Sequence, residues 1–65
     1  MRGKVSAFDS ARGLGEITAD DGNVFPFHCT AIADGTRTIA TDAAVEFEVV
    51  AGHQGRWEAA AVRAL

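Results

Sequence analysis

Val45-Glu46-Phe47-Glu48-Val49 alternates apolar and acidic side chains with a period of two, so that one face of an extended segment is buried and the other meets solvent. Phe25-Pro26-Phe27-His28 repeats the pattern, with Phe25 and Phe27 inward and Pro26 and His28 outward. A proline within such a run implies an edge strand or a bulge. Lys4 to Phe8 and Glu16 to Thr18 are shorter strand candidates, with Val5 and Ile17 as their buried members. Asp20-Asp21-Gly22-Asn23 separates two of these runs and carries the Asp-Gly signal of a tight hairpin. The chain is therefore read as all-β.

A chain of 65 residues buries only about 60 % of the surface its unfolded form exposes, which allows one small domain over residues 1–65 and no second core. Apolar residues make up 48 % and charged ones 23 %, a composition that folds. The single cysteine, Cys29, cannot close an intrachain disulfide, which suits a reducing cytoplasm. No apolar stretch approaches the roughly 20 residues of a membrane-spanning helix, and Met1 to Ser10 lacks the layout of a secretory signal. The expectation is a soluble, cytoplasmic, unprocessed protein without a membrane partner. A pocket of catalytic size would consume much of so small a core, and no acid, base and nucleophile converge, so enzymatic activity is not expected.

Six Lys and Arg stand against nine Asp and Glu, for a net charge of -3. Bulk attraction to phosphate is absent, and affinity for a polyanion would depend on a few cations sharing one face. Arg2, Lys4, Arg12, Arg37, Arg56 and Arg63 are scattered along the chain, and only a fold can gather them.

Between Cys29 and Ala43 the alternation stops, leaving a connection longer than most in small domains. Thr30-Ala31-Ile32 is expected to form a short helical turn capped by the Thr30 hydroxyl, and Asp34-Gly35 a further reversal, with Ile32 and Ile39 as anchors. Gly52-His53-Gln54-Gly55 reads as a hairpin loop. The last segment conflicts with itself, because propensity makes Trp57 to Leu65 helical while an open sheet edge calls for a fifth strand. The strand is favoured through about Val62, with Ala64-Leu65 frayed.

Gly3-Lys4-Val5, Phe8-Asp9, Arg12-Gly13-Leu14-Gly15-Glu16-Ile17, Asp21-Gly22, Phe25 to Ile32, Gly35 and Gly52 to Gly55 resemble the bacterial cold-shock domain over nearly the whole chain. The resemblance implies a five-stranded antiparallel OB-fold barrel that holds single-stranded RNA or DNA on an aromatic sheet face, with no cofactor. The family's two ribonucleoprotein motifs read Lys-Gly-Phe-Gly-Phe-Ile and Val-Phe-Val-His-Phe. Here Arg12 stands for the lysine, Leu14 and Glu16 for two phenylalanines, and Pro26 and Cys29 for two more, while His28 is kept. Ala7 stands where the family carries an exposed tryptophan, and Thr36 where its long loop often carries a phenylalanine.

Lys4, Phe8, Arg12, Leu14, His28, Arg56 and Trp57 are the candidate nucleic-acid-binding residues. Arg12 and Arg56, with Lys4 behind them, are phosphate contacts or ordinary solvated charges. Phe8 is expected as an exposed ring. Trp57 either replaces a lost stacking surface or covers an end of the barrel. His28 either meets a base or is solvated. Strand alternation would send His28 and Cys29 to opposite faces, so they are not expected to share a metal ion. The substitutions leave two readings: a weak or selective single-strand binder, and a barrel that has kept the fold for a protein partner.

Overall fold

A computed structural model describes residues 1–65 apart from His53 and Gln54. The hairpin loop expected at Gly52 to Gly55 therefore lies partly outside the described residues. Five strands, β1 (Arg2–Asp9), β2 (Leu14–Ala19), β3 (Val24–His28), β4 (Ala44–Ala51) and β5 (Trp57–Ala64), form one antiparallel sheet in the order β3-β2-β1-β4-β5. The sheet curls towards a barrel, and its two edges meet where a parallel bridge pairs Ile32 with Val62 and Ala33 N–H donates to the Val62 carbonyl at 2.8 Å. This is the expected five-stranded OB-type barrel, incompletely closed between β3 and β5. Pro26 sits on the edge strand β3, where its missing N–H costs least.

The core follows the inward phase of the strands. Val5, Ile17, Phe27, Ile32, Val45, Phe47 and Val62 are buried, and Phe25 and Ile39 pack against them half-exposed. Each fully buried aliphatic or aromatic side chain contributes about 1.5–3 kcal/mol of transfer free energy, an ample driving force for a barrel without a disulfide. Gly15 lets the sheet close tightly, because a Cβ there would lie 2.5 Å from the Phe27 ring and 2.9 Å from the Ala7 carbonyl oxygen.

Two bulges shift the phase of the strands. In β1 the pairing moves from Val5↔Ile17 to Ala7↔Glu16, so Ser6 is the extra residue, and its hydroxyl donates to the Glu16 carbonyl at 3.2 Å. In β5 the register shifts opposite Glu46 to Glu48, and Ala61 takes a φ of 50° to accommodate it. β5 also runs further than expected: Ala64 pairs with Val45, and Leu65 N–H donates to the Ala44 carbonyl at 2.9 Å. The chain end is tied to β4 and not frayed.

After β3 the chain forms a single 3-10 turn, Cys29–Ala31. The cap differs from the one expected: His28, not Thr30, accepts the free N–H, through Nδ1 from Thr30 N–H at 3.3 Å. Gly35 follows with a φ of 82°, in the reversal expected at Asp34-Gly35.

Candidate functional site

Strand pairing arranges the outward residues of β1, β2 and β3 in three rows. Asp9, Leu14 and His28 form the first, Ala7, Glu16 and Pro26 the second, and Lys4, Thr18 and Val24 the third. All are exposed except Thr18 and Pro26, which are half-buried. The middle of this face is thus a carboxylate between a methyl group and a proline ring. Apolar contact is supplied by Leu14, Pro26 and Val24 in place of aromatic planes.

The first row is the best organised. The Asp9 carboxylate accepts the N–H groups of Ala11 and Arg12 at 3.1 and 3.3 Å, and Gly13 N–H donates to the Asp9 carbonyl at 2.8 Å. Gly13 closes this turn at a φ of 68°, a conformation that costs a residue with a Cβ. The turn delivers Arg12, fully on the surface, to the end of the row occupied by Leu14 and His28. On His28 the Nδ1 atom accepts from Thr30, which leaves the ring proton on Nε2, on the edge turned away from the turn. Cys29 does not continue the strand alternation. It opens the 3-10 turn, and its Sγ lies 3.8 Å from His28 Nδ1, on the same side of the chain.

Phe8 differs from the expectation of an exposed ring. It is half-buried and stacked on Phe27, with centroids 5.9 Å apart and planes 12° from parallel. The Ser6 bulge is the cause: it turns Ser6 and Ala7 both outward and returns Phe8 to the inner side. Phe8 still borders a shallow groove with Ala7, Leu14, Glu16 and Pro26.

A second feature adjoins the face. A bond of 2.6 Å from Gly52 N–H to the Arg56 carbonyl joins the ends of the β4–β5 hairpin, and Arg56 and Trp57 line an open groove of about 790 Å³. Glu16, Val24 and Pro26 of the sheet face form the groove's other side. Trp57 is 60 % exposed, so it does not seal an end of the barrel. Val24 and Pro26 were not among the candidate residues; the signal for Val24 was available, since it shares the outward phase of Pro26 and His28.

The candidate cations are dispersed. Arg12 stands at the first row, Lys4 at the third, roughly 13 Å away at strand spacing, and Arg56 across the groove. Arg2 and Arg63 are engaged with β4, where both bind Glu46 at 3.4 and 2.7 Å. Lys4, Arg12, Arg37 and Arg56 have no carboxylate within ion-pair distance among the described residues. In the long loop, the Thr36 hydroxyl at 2.7 Å and the Thr36 N–H at 3.0 Å hold the Asp34 carboxyl below its ordinary range.

A curled five-stranded sheet with an outward three-strand face, flanked by a basic turn and an aromatic hairpin, defines the class of small OB-type barrels. The chain belongs to the cold-shock domain family: the family model, a "cold-shock" DNA-binding domain, matches residues 1–65. It is 45 % identical over 56 residues to a cold shock-like protein of Thermotoga maritima, covering 85 % of each chain. It is 44 % identical over 55 residues to the cold shock-like protein CspA of Stigmatella aurantiaca, covering 82 % of this chain and 81 % of that one. Against cold shock protein 1 of Arabidopsis thaliana, identity is 38 % over 64 residues, or 95 % of this chain but 21 % of the plant protein. No helix among the described residues is long and apolar enough to cross a membrane.

Proposed function

We propose that this barrel binds single-stranded RNA or DNA along the outer face of β1 to β3 and the adjoining groove, with an affinity held low by the missing rings. The observation that carries the reading is the groove, where an exposed indole and a guanidinium stand opposite residues of the family's binding face. Trp57 supplies stacking, Arg56 and Arg12 supply charge, Leu14 supplies apolar contact, and His28 supplies a donor at Nε2. Phe8 contributes its half-buried edge, and Lys4 acts as an outlying cation.

Stacking on an aromatic side chain is worth about 1–3 kcal/mol per base. Replacement of four such rings removes about 4 kcal/mol even at the lower figure, close to a thousandfold in affinity. Glu16, in the middle of the face, adds repulsion of phosphate. That carboxylate is also the observation that favours the competing reading, a barrel kept for a protein partner.

Titration of Trp57 fluorescence with oligopyrimidine and mixed single strands at low salt tests the proposal. Two to three phosphate contacts give a log-log slope of affinity against salt of about -1.4 to -2.1. A slope near zero excludes Arg12 and Arg56 as phosphate anchors. Silence of both Trp57 and a labelled strand at high micromolar concentration leaves the protein-partner reading in place.

A further inference from the structure

The groove between β3 and the β4–β5 hairpin combines three groups that a stacked base would meet together. Trp57 offers an exposed plane, Arg56 a cation beside it, and Glu16 a carboxylate on the opposite side. Asp21 also lines the groove, but its two oxygens already accept from Asn23 N–H at 3.0 Å and Asn23 Nδ2 at 3.1 Å. Glu16 is different: its backbone carbonyl takes the Ser6 hydroxyl, while its carboxylate has no hydrogen-bond or ion-pair partner among the described residues. Its cross-strand neighbours, Ala7 and Pro26, are too small or too inert to engage it.

Resting on the reading that the barrel binds single strands, we propose that this groove is a guanine-selective base site, with Trp57 stacking the base and Glu16 reading its Watson–Crick edge. An ionised carboxylate only accepts hydrogen bonds, through two oxygens side by side. Guanine alone presents two adjacent parallel donors, N1–H and N2–H, on that edge. Cytosine and adenine each present an amino group next to a ring nitrogen that accepts, which would face the second oxygen with like polarity. Uracil and thymine place their single N3–H between two carbonyl oxygens, and both would be repelled. The same carboxylate that weakens general binding therefore favours one base over the other three. Arg56 holds the adjoining phosphate and offsets the local negative charge.

The experiment compares short thymidine strands with the same strands carrying one central dG, dA or dC, read by Trp57 fluorescence at fixed salt. A bidentate side-chain-to-base pair discriminates by about tenfold or more, so the dG strand should bind at least that much more tightly than the all-thymidine strand. Glu16→Gln presents a donor to one of guanine's two donors. It should erase the dG preference while binding the all-thymidine strand at least as well as the parent, because a repelling charge has gone. Arg56→Gln should weaken all four strands alike and keep the ratio. Circular dichroism establishes that each variant is folded. Equal binding of the four strands by the parent, or a dG preference that survives Glu16→Gln, overturns the guanine site alone. No binding of any strand overturns the nucleic-acid reading with it and gives the groove to a protein segment.

Discussion

Gly15→Ala places local preference and tertiary packing in opposition. Alanine in a strand is favoured over glycine by about 0.5–1 kcal/mol, through the smaller entropy of its unfolded chain. In the barrel, Gly15 lies between Phe8 of β1 and Phe27 of β3. The added Cβ would stand 2.5 Å from Phe27 Cζ and 2.9 Å from the Ala7 carbonyl oxygen. One obstacle is backbone and cannot give. The other is the edge of a ring that is 2 % exposed, so it has nowhere to go. Overpacking of this kind costs about 1–3 kcal/mol, and moving Phe27 also disturbs its stack on Phe8, worth about 0.5–1.5 kcal/mol. The net expectation is a loss of about 0.5–4 kcal/mol, with Tm falling about 4–8 °C for each kcal/mol in a domain of this size. Urea and thermal unfolding followed by circular dichroism read it directly. In a Phe27→Leu background the penalty should shrink, since the ring contact is gone and only the approach to the Ala7 carbonyl remains. A Gly15→Ala protein as stable as the parent, or a penalty undiminished once Phe27→Leu has removed the ring, refutes the close approach of β2 and Phe27.

Two further outcomes are expected. A combined Leu14→Phe and Glu16→Phe variant restores two stacking surfaces and removes a carboxylate, so at about 1 kcal/mol or more per base it should bind all-thymidine strands, which lack the base that Glu16 would read, at least tenfold more tightly at fixed salt; a folded variant that binds them no better than the parent shows that the face is misassigned. Thr36→Val removes the hydroxyl that holds the Asp34 carboxyl low, so the Asp34 titration followed by NMR should move up towards its ordinary value. Because the folded-state value is depressed, this contact favours the folded loop above the unfolded carboxylate range and is lost as pH falls through the folded value; an unmoved titration refutes it.

Much of the fold was legible in the chain because burial leaves a periodic trace. Val45 and Phe47, Phe25 and Phe27, Val5 and Ile17 mark their strands by alternation, and Pro26 marks an edge because it lacks a donor. The candidate site was legible in part. Leu14 and His28 are direct cross-strand neighbours, and Arg12 is delivered to their row by the glycine turn. Phe8 was misplaced for a definite reason: the Ser6 bulge moves the phase of β1 by one residue, and a bulge is set by the register of the partner strand, which alternation along one strand does not contain.

What the sequence determined by itself is therefore the first four strands, the alternation that marks their buried residues, and the reversals at Asp21-Gly22 and Asp34-Gly35, because these leave their trace within a few residues. Tertiary structure alone decided the rest. The last segment could satisfy its own backbone as a helix. It becomes a strand to Ala64 because the unpaired edge of β4 offers a longer ladder, and it accepts a φ of 50° at Ala61 to stay in register. The groove has the same origin. Glu16, Pro26 and Trp57 are far apart in the chain, and only the curl that brings β3 towards β5 sets a carboxylate, a proline edge and an indole around one space.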